Sequence, residues 1–242
     1  MYGWRGRIGY ISPSPNDSVG ADFYKVVPEG VVLVSNAMRL QQIHTESLQV
    51  AWEETLQAAR ELAGQGVDII CSAGDPIYTL RGHGADREMI RAIEAETGVP
   101  ATTTLTAAVE ALQAFGAKKV AVATPYPPQF SETLAQFLKA SGFEVLTVRG
   151  YLTPENFSNR ALACLTADVP YGVARNALRD APEAEAVYMP CARWPAIQVV
   201  DVLERDLGIP VVASAQAFIW KGLKTARVRE VRPGFGRLFQ TL

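Results

Sequence analysis

Cys191 closes a short apolar run, Ala184-Glu-Ala-Val-Tyr-Met-Pro-Cys191, two residues before Arg193 and just ahead of a helix expected from about Trp194. A thiol beside a guanidinium and a helix N-terminus is biased toward thiolate, so Cys191 is a candidate nucleophile or proton carrier. The plainer alternative is a buried structural cysteine. The first half of the chain holds a twin string, Val67-Asp-Ile-Ile-Cys-Ser-Ala-Gly74, whose strand-end residue is glycine and is followed by Asp75-Pro76. Asp75 either caps a helix that has proline in its first turn or stands as a general base opposite the Cys191 thiol. Cys71, inside the twin run, and Cys164, on an apolar helical stripe, read as core residues.

The duplication extends to the elements that must hold these groups. Arg7-Ile-Gly-Tyr-Ile11 followed by Ser12-Pro-Ser-Pro-Asn16 parallels Lys119-Val-Ala-Val-Ala123 followed by Thr124-Pro-Tyr-Pro-Pro128, and Glu96-Thr-Gly-Val-Pro-Ala101 parallels Asp206-Leu-Gly-Ile-Pro-Val211. Short apolar runs alternate with segments of helical period, the pattern of βα units around a parallel sheet. Strands are expected near 7–11, 31–35, 68–72 and 100–103, then near 119–123, 144–148, 186–190 and 210–213. Helices are expected over Glu46–Ala63, with Leu48, Ala51, Trp52, Leu56 and Ala59 at intervals of three and four, and over Gln129–Ala140. The fold class is therefore α/β: two similar Rossmann-like halves, 1–116 and 117–242, related by a pseudo-twofold axis with the active site in the cleft between them. The C-terminal segment is expected to cross back over the first half.

In open parallel sheets the loops at the carboxyl ends of strands collect the ligand. That rule nominates Ser12–Asn16, Ser72–Tyr78, Thr124–Pro128 and Pro190–Trp194, and with them Asn16, Gly74, Pro76, Tyr126, Ala192 and Arg193 as substrate-binding residues. None of these loops carries G-x-G-x-x-G or a P-loop lysine, so no nucleotide cofactor is expected. His44 and His83 are the only histidines, and neither has a partner at ligand spacing, so no metal site is expected. Arg81-Gly-His-Gly84 reads as a loop with an exposed histidine or a flap.

At 242 residues, 48% hydrophobic, with 23 basic and 25 acidic side chains, the chain suits an ordinary enzyme and gives no sign of a nucleic-acid partner. Three scattered cysteines and no long apolar window point to the cytoplasm and away from a membrane. The oligomeric state is left open, a homo-oligomer included.

The chain resembles the aspartate/glutamate racemase superfamily, in the branch that holds maleate cis-trans isomerases and arylmalonate decarboxylases. The resemblance rests on Pro13-Ser-Pro-Asn16, on Met38-Arg-Leu40 with Ile43, on Gly66-Val-Asp-Ile-Ile70 leading to Gly74, on Ala123-Thr-Pro-Tyr126, on Glu155-Asn156, on Cys191, on Gly208-Ile-Pro-Val-Val212 and on Arg232-Pro-Gly-Phe-Gly-Arg-Leu-Phe239. It implies a cofactor-independent enzyme holding a small carboxylate between two facing strand ends, with Leu40, Ile43 and Asn156 joining the binding residues and Tyr126 holding a carboxylate.

Racemases and isomerases of this superfamily often carry cysteine at both strand ends. Glycine at 74 with cysteine at 191 is the decarboxylase pattern, in which loss of carbon dioxide creates the carbanion and one acid protonates it. The resemblance therefore implies a lyase. Asp75-Pro76 departs from that pattern, which places hydroxyl residues there, and Asn156 and Asn159 suit the isomerases better. Isomerase or racemase chemistry through an Asp75/Cys191 pair is the alternative. A binding protein that has lost its chemistry is a third reading, and it alone should tolerate replacement of Cys191.

Overall fold

A computed structural model describes residues 2–15, 18–40 and 47–242. Eight strands, all paired in parallel, form two four-stranded sheets. The first contains β1 (Gly6–Ser12), β2 (Val31–Ala37), β3 (Ile69–Ser72) and β4 (Ala101–Thr103); the second contains β5 (Lys119–Thr124), β6 (Glu144–Gly150), β7 (Ala186–Met189) and β8 (Val211–Ala213). Their orders are β2-β1-β3-β4 and β6-β5-β7-β8, so each half repeats one winding scheme.

Each expected strand is present to within a residue or two, because the apolar runs are the central strands themselves. Every residue of β3 and of β7 is buried, whereas the edge strands β2 and β6 are mostly half-exposed. Parallel strands covered on both faces must be apolar throughout, and this makes them conspicuous in sequence.

Helices follow the strands: α1 (Ser18–Val26), α2 (Leu48–Ala63), α3 (Asp75–Arg81), α4 (Ala85–Thr97) and α5 (Thr104–Ala114) in the first half. The second half contains α6 (Pro128–Ala140), α7 (Asn159–Ala163), α8 (Asp168–Asp180), α9 (Val200–Leu207) and α10 (Ser214–Thr225). Helix α2 buries Leu48, Ala51 and Ala59 of the face expected for it, together with Thr55, Ala58 and Leu62, and leaves Trp52 and Leu56 half-buried at its edge; residue 46, its expected start, lies outside the described residues. The helix anticipated near Trp194 opens as a 3₁₀ turn, Pro195–Val199, before α9.

Helices α5 and α10, equivalent in the two halves, pack on each other, and α10 also touches β1, β3 and β4. Beyond α10 the chain returns to the first half: the Arg232 amide donates to the Val26 carbonyl at 2.8 Å, and Glu230 pairs with Arg5 at 2.8 Å. Among the described residues no helix is long and apolar enough to cross a membrane.

One cysteine departs from expectation. Cys164 is exposed and caps the C-terminus of α7, whose five residues are too few to build an apolar stripe. Cys71 is buried in β3.

Candidate active site

The two strand ends meet across the cleft with related backbones. After β3 the chain turns at Gly74, with φ of 108°, directly into α3; after β7 it turns at Cys191, with φ of 73°. Glycine enters the left-handed region freely, whereas a cysteine there is strained. A Cβ added at Gly74 would lie 2.8 Å from both the Ile77 Cδ1 and the Pro13 Cγ, so this wall has no room for a side chain.

Asp75, the first residue of α3, is 3% exposed. Its carboxyl does not cap its own helix, as one reading of the sequence had it, but gathers donors from both halves. Oδ1 accepts from the Thr104 hydroxyl at 2.6 Å, and Oδ2 from the Tyr126 hydroxyl at 3.4 Å and the Cys191 amide at 3.3 Å. The cap position belongs to Gly74, which has no side chain to offer, and the cleft supplies better donors. Burial raises the Asp75 carboxyl above the ordinary carboxylate range, and these hydrogen bonds oppose the rise.

Cys191 is 8% exposed. Burial pushes its thiol up to about 11; the Arg193 and Trp194 amides and the Tyr126 hydroxyl pull it down, while the Asp75 charge pushes it further up. At neutral pH the residue is a thiol. The thiolate expected beside Arg193 and a helix start is not what the geometry provides, because the guanidinium is used elsewhere. Arg193 Nη2 donates to the Ser14 hydroxyl at 2.9 Å, the Ser14 carbonyl at 3.3 Å and the Pro15 carbonyl at 3.0 Å, clasping the second half to the Pro-rich loop of the first.

Tyr126 is held by its own loop: its amide donates to the Thr124 hydroxyl at 3.1 Å, and its carbonyl accepts from Ser131 at 3.0 Å. Its ring forms an aromatic wall with Phe130 and Phe157, at centroid separations of 6.3 and 6.1 Å.

A single cavity of about 530 Å³ joins these groups. Leu40, Gly74, Asp75, Pro76, Tyr126, Cys191, Ala192 and Arg193, all anticipated from sequence, line it. Asn156 does not: it is exposed, and its Oδ1 accepts from the Thr153 amide at 2.8 Å, closing a turn. Asn16, Ile43 and His44 lie outside the described residues. His83 is exposed and rests on the Phe137 ring, 5.4 Å between centroids.

The cavity also takes in residues that the strand-end loops had not nominated: Tyr10, Thr104 and Gln129, and the stretch Phe157-Ser-Asn-Arg160 with Leu162. Thr104 follows β4 directly, so the strand-end rule could have found it had it been applied to that strand. Nothing periodic marks 157–162.

Two identically wound α/β halves, with a lone thiol at one strand end and a glycine facing it, define a two-halved enzyme fold whose chemistry sits in the cleft. The chain belongs to the arylmalonate decarboxylase family, whose model matches residues 8–239. It is 29% identical over 233 residues to arylmalonate decarboxylase of Bordetella bronchiseptica, covering 96% of this chain and 95% of that one. It is 28% identical over 244 residues to a maleate isomerase of Pseudomonas putida, with 96% of each covered. Its structure matches that of an arylmalonate decarboxylase with a TM-score of 0.86 at 27% identity, over 98% of this chain and 100% of that one. It also matches a Nocardia farcinica maleate cis-trans isomerase variant carrying a covalently bound succinylcysteine intermediate, with a TM-score of 0.87 at 25% identity, over 98% of this chain and 99% of that one.

Proposed function

We propose that this protein is a cofactor-independent decarboxylase of small substituted malonates, with Cys191 as the acid. The observation that carries the reading is a buried thiol at one strand end, on a positive-φ turn, opposite a glycine where any side chain would have to displace Ile77 and Pro13. In the proposed step the bond to one carboxylate breaks and carbon dioxide leaves. The electron pair passes into an enediolate, and the Cys191 S–H delivers its proton to carbon; water then reprotonates the sulfur. A buried thiol holds its proton until a strong carbon base forms beside it, and the apolar wall of Phe130 and Phe157 limits competing protonation by water. Tyr126, whose hydroxyl contacts both Asp75 and Cys191, orients the thiol within the cleft. The likeness to the Bordetella enzyme supports the same reading.

A second reading rests on Asp75. A buried carboxyl bonded to the Cys191 amide gives the cleft a base on one wall and an acid on the other, the arrangement for racemising or isomerising a carboxylic acid. We assign the first half to residues 1–116 and the second to 117–242. The three free cysteines fit a reducing compartment such as the cytoplasm.

Proton NMR in deuterium oxide, with substituted malonates, maleate and small chiral acids beside Cys191→Ala, separates the readings. Carbon dioxide release with one deuterium incorporated supports decarboxylation. Exchange at a stereocentre without loss of carbon, or maleate converting to fumarate, replaces it with the second reading.

A further inference from the structure

The cavity holds an unusual distribution of charge. Its innermost donors, the Thr104 and Tyr126 hydroxyls and the Cys191 amide, come from three separate elements and converge on one carboxyl, that of Asp75. Three donors aimed at one point from both halves make a site for a carboxylate, and the chain supplies that carboxylate itself. A second anionic group brought there would meet a buried acid with its donors already engaged.

Two arginines line the cavity. Arg193 is committed to Ser14 and Pro15. Arg160, on α7 beside Ser158 and Asn159, lies on the lining with its guanidinium making no hydrogen bond or ion pair among the described residues. It is exposed at the outer part of the site, where a planar guanidinium can take a carboxylate in two parallel hydrogen bonds.

We propose that Asp75 fills the inner anion position of this chain and that Arg160 is the specificity-determining residue that receives the substrate's retained carboxylate at the outer side of the cavity. The substrate class is then an acid with one carboxylate directed outward to Arg160 and its reacting carbon directed inward to Cys191. This rests on the small-carboxylate reading of the site but not on which reaction follows.

Binding of phenylacetate, phenylmalonate and neutral benzyl alcohol, measured by calorimetry on the full chain in a Cys191→Ala background that suppresses the proposed turnover, tests the assignment. Arg160→Gln should weaken phenylacetate roughly tenfold, Arg160→Lys should recover part of that loss, and benzyl alcohol should bind all three proteins alike. Asp75→Asn, which frees the inner donors from a competing charge, should strengthen the dianion phenylmalonate more than the monoanion. Unchanged phenylacetate affinity in Arg160→Gln overturns the proposal, as does an equal gain for both acids in Asp75→Asn. Arg160→Gln is at an exposed position and does not depend on refolding the cleft, so its arm decides the matter even if Asp75→Asn fails to fold. The deuterium-exchange experiment is scored separately: malonate turnover with an unchanged KM in Arg160→Gln sinks this inference and leaves the decarboxylase reading standing. Loss of acid binding in Arg160→Gln without any malonate turnover does the reverse.

Discussion

The two strand ends at Gly74 and Cys191 are one backbone solution carrying opposite contents. Both residues sit just beyond a buried four-residue strand and both have positive φ, 108° and 73°. At the first end the turn is held by the residue type that adopts it freely, and the space a side chain would need is filled by Ile77 and Pro13. At the second, a cysteine is kept in a conformation that costs an ordinary residue roughly 1–2 kcal/mol. On the proposed function, the strained turn at Cys191 is kept for the thiol it carries, and the opposite wall serves packing.

Breaking the comparison at its reactive end should have the largest effect. Cys191→Ala removes the acid without changing the turn, and malonate turnover followed by NMR should fall at least about 100-fold. A variant that keeps its turnover would reduce the cysteine to a packing residue. At the opposite end, Gly74→Ala forces a Cβ against Ile77 and Pro13 at positive φ, and urea denaturation should show a loss of about 2 kcal/mol or more. A loss of only a few tenths would mean that the glycine wall gives way and that its emptiness has some other origin. A finer contrast follows from the backbone alone. Cys191→Gly should be more stable than Cys191→Ala by about 1 kcal/mol, since only glycine relieves the left-handed turn, although both lack the thiol. Equal stabilities would show that the surroundings and not the residue set φ at 191.

These contrasts follow what could be read from the residues and what could not. The strands were legible because buried parallel strands are uninterrupted apolar runs, and the duplication repeated the same succession of runs in each half. The strand-end rule then placed Gly74, Asp75, Pro76, Tyr126, Ala192 and Arg193 at the site, since it depends only on where strands end. What it could not supply was direction. Whether Arg193 charges the cysteine or clasps Ser14, and whether Asp75 caps α3 or turns to Thr104 in its own half and to Tyr126 and the Cys191 amide across the cleft, depends on neighbours 29 to 179 positions away in sequence. Burial is the same kind of quantity: the helix start and guanidinium near Cys191 argued for thiolate, and desolvation outweighs them. Asn156 and Arg160 show the limit most plainly. Both lie in a segment without periodicity, and only the path of the chain through 151–163 makes one a turn brace and the other part of the cavity wall.

The smallest effect joins the two walls electrostatically. The Asp75 charge helps hold the Cys191 thiol up, after burial and against the Arg193 amide, so removing that charge should lower the thiol from about 11. Alkylation of Cys191 by iodoacetamide, which consumes only the thiolate, should therefore be slow at pH 7 and accelerate as the pH climbs toward about 11. In Asp75→Asn the same curve should shift to lower pH. Exposed Cys164 will react first, so the measurement belongs in a Cys164→Ser background. Asp75 supplies its own check through stability. Its folded-state pKa is raised, so its contribution is intact below the ordinary carboxylate range and is lost as pH rises through the folded value. The wild type should thus lose stability across that interval, and Asp75→Asn should lose less. If the alkylation curve stays in place while the stability profile flattens, Asp75 is a buried acid without influence on the thiol, and the two walls act independently.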